Sequence, residues 1–571
     1  MKKLVCRVVG LFALLELTAC GFLPYGAYTN KVDPQKVEVI DQSKPSAPSQ
    51  TSFHLRKQRQ SLKCDQAGTP TSDPKLQRDV LVLLALSGGG SRAAYFSALS
   101  MMEMEKLKLT IGDQVSDVLH EVDAISSVSG GSMAAAYYAA SHDPGHECAG
   151  QSGHSWDENT VRDLMTKNYL NRWVGNWFWP SNIFKYWLSP YDRTDIMAQT
   201  MADNLFNKSV IGMDLSLGQL NPLRPNLILN STIGSSSFGG SNNSFGQVFT
   251  FTSEDFGRIC SDVSSYSVAR GVMASATFPG AFNFMTLCDF CWKKDEYKTQ
   301  SCTERADPRY LHVFDGGNAD NLGLTSIKRV LWDALDKNSE TPRLPYRKIV
   351  VILVDSFISS SGADSRLSDA RGAFDFWIDL NFIDATDSLL QANRQSLLTQ
   401  FETGNVFPFG AGRGDAAESC RGLLPDVDVK YCDKPSGWWD SLNEEFKRKK
   451  LFVHLQFSKV GDVVSGAPQE RFIDSRFLMD RLLKIRTNFK LESKAKPVSP
   501  LRPTLLKDQD VIACATPLLF GREDYAHCED LRPMKSNFAE IWGQVKCVLE
   551  NPGAACGIGQ TLEVGSKPTA P

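Results

Sequence analysis

The sequence predicts an α/β fold: a layered, mostly parallel sheet flanked by helices, with long insertions. Three observations predict it. Val80-Leu81-Val82-Leu83-Leu84-Ala85-Leu86 is an unbroken apolar run, the pattern of a strand covered on both faces. A glycine turn follows, and then a helix over about 93–107 with Ala94, Leu99, Met102 and Met104 among its apolar positions. A short strand at 122–128 then leads directly into a helix at 130–140. Strand, helix, strand, helix at this spacing is the rhythm of a layered core. Further strands are expected at 226–232, 248–252, 311–314 and 349–354. Helices are expected at 264–276, stopped by Pro279-Gly280, and at 470–489.

Ahead of that core, Lys2, Lys3 and Arg7 precede the apolar run at 8–15, which is too short to span a bilayer. Leu17-Thr18-Ala19-Cys20 follows and resembles the lipobox of bacterial lipoproteins. The resemblance implies a signal peptide at 1–19 and acylation of Cys20. Because Gly21 rather than Asp comes next, it also implies an outer-membrane lipoprotein facing the periplasm. A plain secretory signal is the alternative, kept open by Glu16 in the apolar stretch. Residues 20–78 show no sustained periodicity and read as a tether. One large domain is expected over 79–495 and a cysteine-containing extension over 496–571.

The composition is that of a globular protein, with 42% hydrophobic and 22% charged residues. Formal charge is −3, and more negative without the basic leader, so nucleic acid is not an expected partner. Of the 14 cysteines, Cys6 leaves with the leader and Cys20 is acylated, so an even number remains to pair in an oxidising compartment. Cys420 with Cys432, and Cys547 with Cys556, are the local closures expected first. Cys288, Cys291 and Cys302, with His312 as a loose fourth ligand, pose a zinc alternative, but disulfides are the preferred reading. His142, His146, Cys148 and His154 also have metal-ligand chemistry, yet they lie in a Gly-, Asp- and Ser-bearing loop. No metal is expected there.

Three motifs carry chemistry. Gly88-Gly89-Gly90-Ser91-Arg92 follows a strand and opens a helix, where backbone N–H groups and the helix dipole can hold an anion. A dinucleotide fingerprint would need glycine where Ala93 stands, so no such cofactor is expected. Ser127-Val128-Ser129-Gly130-Gly131 places a serine at a strand-to-helix turn, with small residues two before and two after. Asp315-Gly316-Gly317 ends a strand, the edge at which α/β folds build their sites.

Together these motifs resemble the patatin-like phospholipase family, with echoes at Ala274-Ser275-Ala276-Thr277-Phe278-Pro279-Gly280 and Ile485-Arg486-Thr487-Asn488-Phe489. The resemblance implies a patatin-like serine hydrolase fold with insertions, cleaving carboxylic esters of lipids. It implies Ser129 as nucleophile, Asp315 as base, and an oxyanion hole from Gly88, Gly89 and Gly90, with Arg92 adding positive charge. No metal or organic cofactor is implied. Ser127, where the pattern has glycine, is a departure. A full triad would need His454 or His527, and His454 between Val453 and Leu455 reads as a core strand residue. The rival functions are an esterase or thioesterase on a non-phospholipid substrate, and a non-catalytic envelope scaffold. The aromatic stretch 169–191, with Trp173, Trp177, Phe178, Trp179, Phe184, Tyr186 and Trp187, reads as a lid or interfacial loop, or else as core filling.

Overall fold

The apolar run at 80–86 forms β1 (Val80–Leu86), and all seven residues are buried. It sits inside a nine-stranded sheet with β2 (Ala124–Val128), β3 (Asn226–Ile233), β4 (Val248–Thr250), β5 (Met285–Cys288), β6 (Tyr310–Asp315), β7 (Lys348–Asp355), β8 (Lys450–Gln456) and β9 (Thr561–Glu563). The strand order is β5-β6-β3-β2-β1-β7-β8-β9, with β4 also paired to β3. From β3 to β9 the pairing is parallel, while β4 and β6 pair antiparallel with β3 and β5 pairs antiparallel with β6. The computed structural model describes residues 30–32, 50–55, 79–112, 114–144, 154–189, 191–206, 214–238, 244–336, 342–357, 381–407, 434–457, 508–521, 538–556 and 561–563, and the backbone of 60–64 and 70–72.

Successive side chains on a strand point to opposite faces, and the central strands use both faces for core. Val80, Val82, Leu84 and Leu86 join one apolar cluster, whereas Leu81, Leu83 and Ala85 join another. β7 divides the same way, with Val350, Ile352 and Val354 against Ile349, Val351 and Leu353. Helices cover both layers: α1 (Gly90–Lys106), α2 (Gly130–Ala140), α3 (Tyr169–Trp177), α4 (Pro180–Leu188), α5 (Arg193–Met201), α6 (Val268–Ser275), α7 (Leu324–Asp333), α8 (Ser436–Lys449), α9 (Asp508–Leu518) and α10 (Phe538–Glu550). α1 and α2 lie on the first face, α7 and α8 on the second. Truncating a central residue such as Leu84 to Ala would cost about 2–5 kcal/mol.

Two boundaries differ from the sequence expectation. Val511 and Ile512 of α9 and Val545 and Val548 of α10 share the core cluster of β1, and β9 extends the sheet. The described residues 508–518, 538–550 and 561–563 thus belong to the same layered body, with α9 and α10 packed on the face beside α1. Pieces of the expected tether 20–78 are also fastened down. Lys31 and Val32 pair with Asp262 and Ser261, Asn30 Nδ2 donates to the Cys288 carbonyl at 2.9 Å, and Phe53 is buried under the Arg329 guanidinium.

Disulfides join Cys260 to Cys291, Cys288 to Cys302, and Cys547 to Cys556. The last is a pairing expected from spacing. The first two engage the cysteines of the zinc alternative, which are therefore not free to bind metal. Residues 1–29, the Cys420–Cys432 pair, the 470–489 helix and His527 lie outside the described residues. Among the described residues no helix is long and apolar enough to cross a membrane.

Candidate active site

β2 ends at Val128, and the chain turns into α2 through Ser129, whose φ of 50° and ψ of −118° are unusual for a residue with a side chain. Such a conformation costs of order 1–3 kcal/mol and persists only where the surroundings enforce it. Here they do. The Ser129 N–H donates to Ser275 Oγ at 2.9 Å, and Ser132 Oγ links Ser275 and Ser127 at 3.0 and 3.1 Å. Ser127, the departure from the usual glycine, is therefore a member of the network that fixes the turn. Asn230 Nδ2 adds a bond to the Ser127 carbonyl at 2.8 Å.

The glycine loop abuts this turn. A Cβ on Gly130 would lie 1.9 Å from the Gly90 carbonyl oxygen, so only glycine lets the two backbones approach. Gly89, at φ 140°, would bring a Cβ within 2.4 Å of Ser356 Oγ. Ser356 in turn donates from Oγ to the Gly88 carbonyl at 2.6 Å and from its backbone N–H to Ser87 Oγ at 2.8 Å, which pins the loop to the end of β7. α1 begins with neither a side-chain cap nor an acidic residue in its first turn. Among the described residues, the Gly89 and Gly90 N–H groups have no acceptor, leaving a pair of donors at a helix N-terminus.

Gly88 differs from the sequence expectation. The Gly88 N–H is engaged by the Asn321 carbonyl at 3.0 Å, so it has no donor to offer an oxyanion. The Arg92 guanidinium is buried, and burial lowers its pKa to about 10 against the opposing pull of Asp355.

Sheet register brings Asp315 to Ser129. On β3, Asn230 pairs with Val128 and Thr250, and the next residue, Ser231, pairs with Phe249 and Asp315. β6 therefore takes over the edge of β3 where β2 ends, one rung beyond Val128. The Asp315 main chain is locked by its N–H to the Thr277 carbonyl at 3.2 Å and by Thr232 Oγ1 donating to its carbonyl at 2.7 Å. Its carboxylate accepts the Gly317 N–H at 2.7 Å and is hydrogen-bonded by the Ser129 side chain. Burial pushes its pKa up to about 7, against the opposing effect of those two donors.

Among the described residues no histidine bonds to either group. His454 Nε2 lies 3.0 Å from Asp355 Oδ2, where Arg394 also binds. Burial alone would raise the Asp355 pKa, but Arg394 and His454 hold it well below the usual carboxylate range. His312 is engaged by Thr286 Oγ1 at 3.1 Å. Structure also adds Ser275 and Ser356, both missed as working residues. Ser275 lay inside the Ala-Ser-Ala-Thr-Phe-Pro-Gly segment, which was its signal; Ser356 had none.

Residues 84–327 match the family model described as Patatin-like phospholipase. No curated protein matches the chain. Among solved structures, the chain is similar to VipD from Legionella pneumophila, with 13% identity, a TM-score of 0.20, and 58% of each chain covered. The chain thus spans little more than half of that protein. The glycine loop, the strained serine turn and the Asp-Gly-Gly strand end all lie inside the span that the family model matches, which supports the patatin-like phospholipase family for residues 84–327.

Proposed function

We propose that the chain is a lipid acyl hydrolase that works through a Ser129–Asp315 dyad and an acyl-enzyme. The observation that carries this reading is a serine held at φ 50° with its side chain bonded to a buried aspartate whose pKa is near 7, matched to proton transfer at neutral pH. Ser129 Oγ attacks the ester carbonyl while its proton passes to Asp315. Negative charge develops on the carbonyl oxygen and is met by the N–H groups of Gly89 and Gly90. The intermediate collapses, and the alcohol leaves with the proton from Asp315. Water then attacks the acyl-serine, Asp315 takes its proton, and collapse returns that proton to Ser129 as the fatty acid departs. Phospholipids and lysophospholipids are the proposed substrates, and acylated Cys20 the proposed link to the periplasmic face of the outer membrane.

The test is fatty acid release from a lipid panel by the full chain, compared with Ser129→Ala. Release that the variant lacks supports the reading; equal release by both overturns it.

A further inference from the structure

The helices α3 and α4 form a hairpin that turns its largest apolar side chains outward. Phe178, Trp179, Phe184 and Trp187 are 71, 64, 57 and 79% exposed, an apolar concentration that soluble proteins rarely leave uncovered. The hairpin itself is firmly built. Asn168 caps α3 by accepting the Asn171 N–H at 2.9 Å, and buried Asn182 donates to the Asn176 carbonyl at 2.8 Å. Trp173 Nε1 donates to the Arg193 carbonyl at 2.8 Å, and its ring packs on Phe282 at 5.3 Å. One side is thus anchored and the other presented to solvent, so the core-filling reading of these aromatics does not describe the outward four.

Charge and position say what would cover that side. Between Asp163 and Asp192 the sequence has no acidic residue, while Arg172 and Lys185 are cationic; Lys167 is paired with Asp163 at 3.6 Å. Indole and phenol rings suit the headgroup region, and flanking Lys and Arg suit anionic lipids. A second copy docked through the same patch would set these cations against their own counterparts. The anchored side leads to the site: Thr194 Oγ1 donates to the Asn283 carbonyl at 3.0 Å, and the same segment supplies the Thr277 carbonyl that holds the Asp315 N–H.

We propose that the α3–α4 hairpin is a membrane-docking surface that seats in the interface of an anionic bilayer beside the Ser129 site. The proposal deepens the lipid hydrolase reading and rests on it for its substrate. It is tested on the full chain carrying Cys20→Ser and Ser129→Ala, so that neither the anchor nor turnover intervenes. Vesicles of phosphatidylethanolamine and phosphatidylglycerol are compared with vesicles of phosphatidylcholine, by co-sedimentation and by quenching of tryptophan with brominated acyl chains. We expect quenching on the anionic vesicles. Adding Phe178→Ser, Trp179→Ser and Trp187→Ser should lower partitioning by about tenfold or more, with an unchanged melting temperature. Arg172→Glu with Lys185→Glu, which replaces no aromatic residue, should abolish the preference for anionic vesicles. Unchanged partitioning of the aromatic variant overturns the proposal, as does an unchanged anionic preference of the charge variant. If the aromatic variant instead turns a dimer into a monomer while partitioning holds, the patch covers a second copy and the proposal falls. Vesicle binding by this variant, while a serine-directed probe fails to label Ser129 in the parent chain, upholds docking and overturns the hydrolase reading alone.

Discussion

Replacing Asp315 with Asn separates the demands of the site from those of the fold. In the folded chain burial raises the Asp315 pKa to about 7, while an unfolded aspartate titrates near 3.9. Stability attached to this group is fully present below the unfolded value and is lost as pH rises toward the folded one, because ionising the buried carboxyl opposes folding. The three-unit difference corresponds to about 4 kcal/mol above pH 7, and to almost nothing below pH 4. Asn keeps an oxygen for the Gly317 N–H but cannot ionise, so most of that cost disappears. Allowing for an amide hydrogen without a partner, Asp315→Asn should be more stable than the parent by about 2–4 kcal/mol at pH 8.5 and nearly equal to it at pH 4. Its ester hydrolysis should fall by about three orders of magnitude or more. Urea denaturation at the two pH values, alongside turnover, measures both effects. The parent's turnover should itself rise with pH through about 7, as Asp315 loses its proton. A variant less stable than the parent at pH 8.5, or a parent rate flat between pH 6 and 8, would refute this reasoning.

Three further outcomes are expected, two from the geometry and the third from the sequence. Gly130→Ala drives a Cβ into the Gly90 carbonyl, parting the loop from the elbow, and should lower turnover by about a hundredfold where circular dichroism still reports a folded chain. His454→Ala removes a bond to buried Asp355 and should cost about 1–3 kcal/mol of stability, yet leave ester turnover within a few-fold at a temperature where it is folded. Cys20→Ser should move the protein from the membrane to the soluble fraction and abolish its labelling by a metabolic fatty acid probe.

Legibility in the sequence followed burial. β1 and β7 were readable because strands covered on both faces are written as continuous Val, Ile and Leu. β9 was not, since three residues at a sheet edge leave no periodic trace. The C-terminal helices were visible as a segment but not as core, because what they cover is formed by residues some four hundred positions earlier. Ser129 and Asp315 could be named from their motifs, and the register on β3 explains why they meet. Which of three adjacent glycines keeps a free N–H was not readable, for that depends on the Asn321 carbonyl reaching Gly88 through space. The same holds for Cys260 with Cys291, separated by 31 residues, whereas Cys547 and Cys556 are joined across only nine.

The dyad is tested most directly by identifying the residue that a fluorophosphonate probe modifies. The full chain is treated at pH 8, digested, and mapped by mass spectrometry. The adduct is expected on the peptide containing Ser129, absent in Ser129→Ala, and formed far more slowly in Asp315→Asn. An adduct on any other serine, or ester hydrolysis that survives Ser129→Ala, would contradict it.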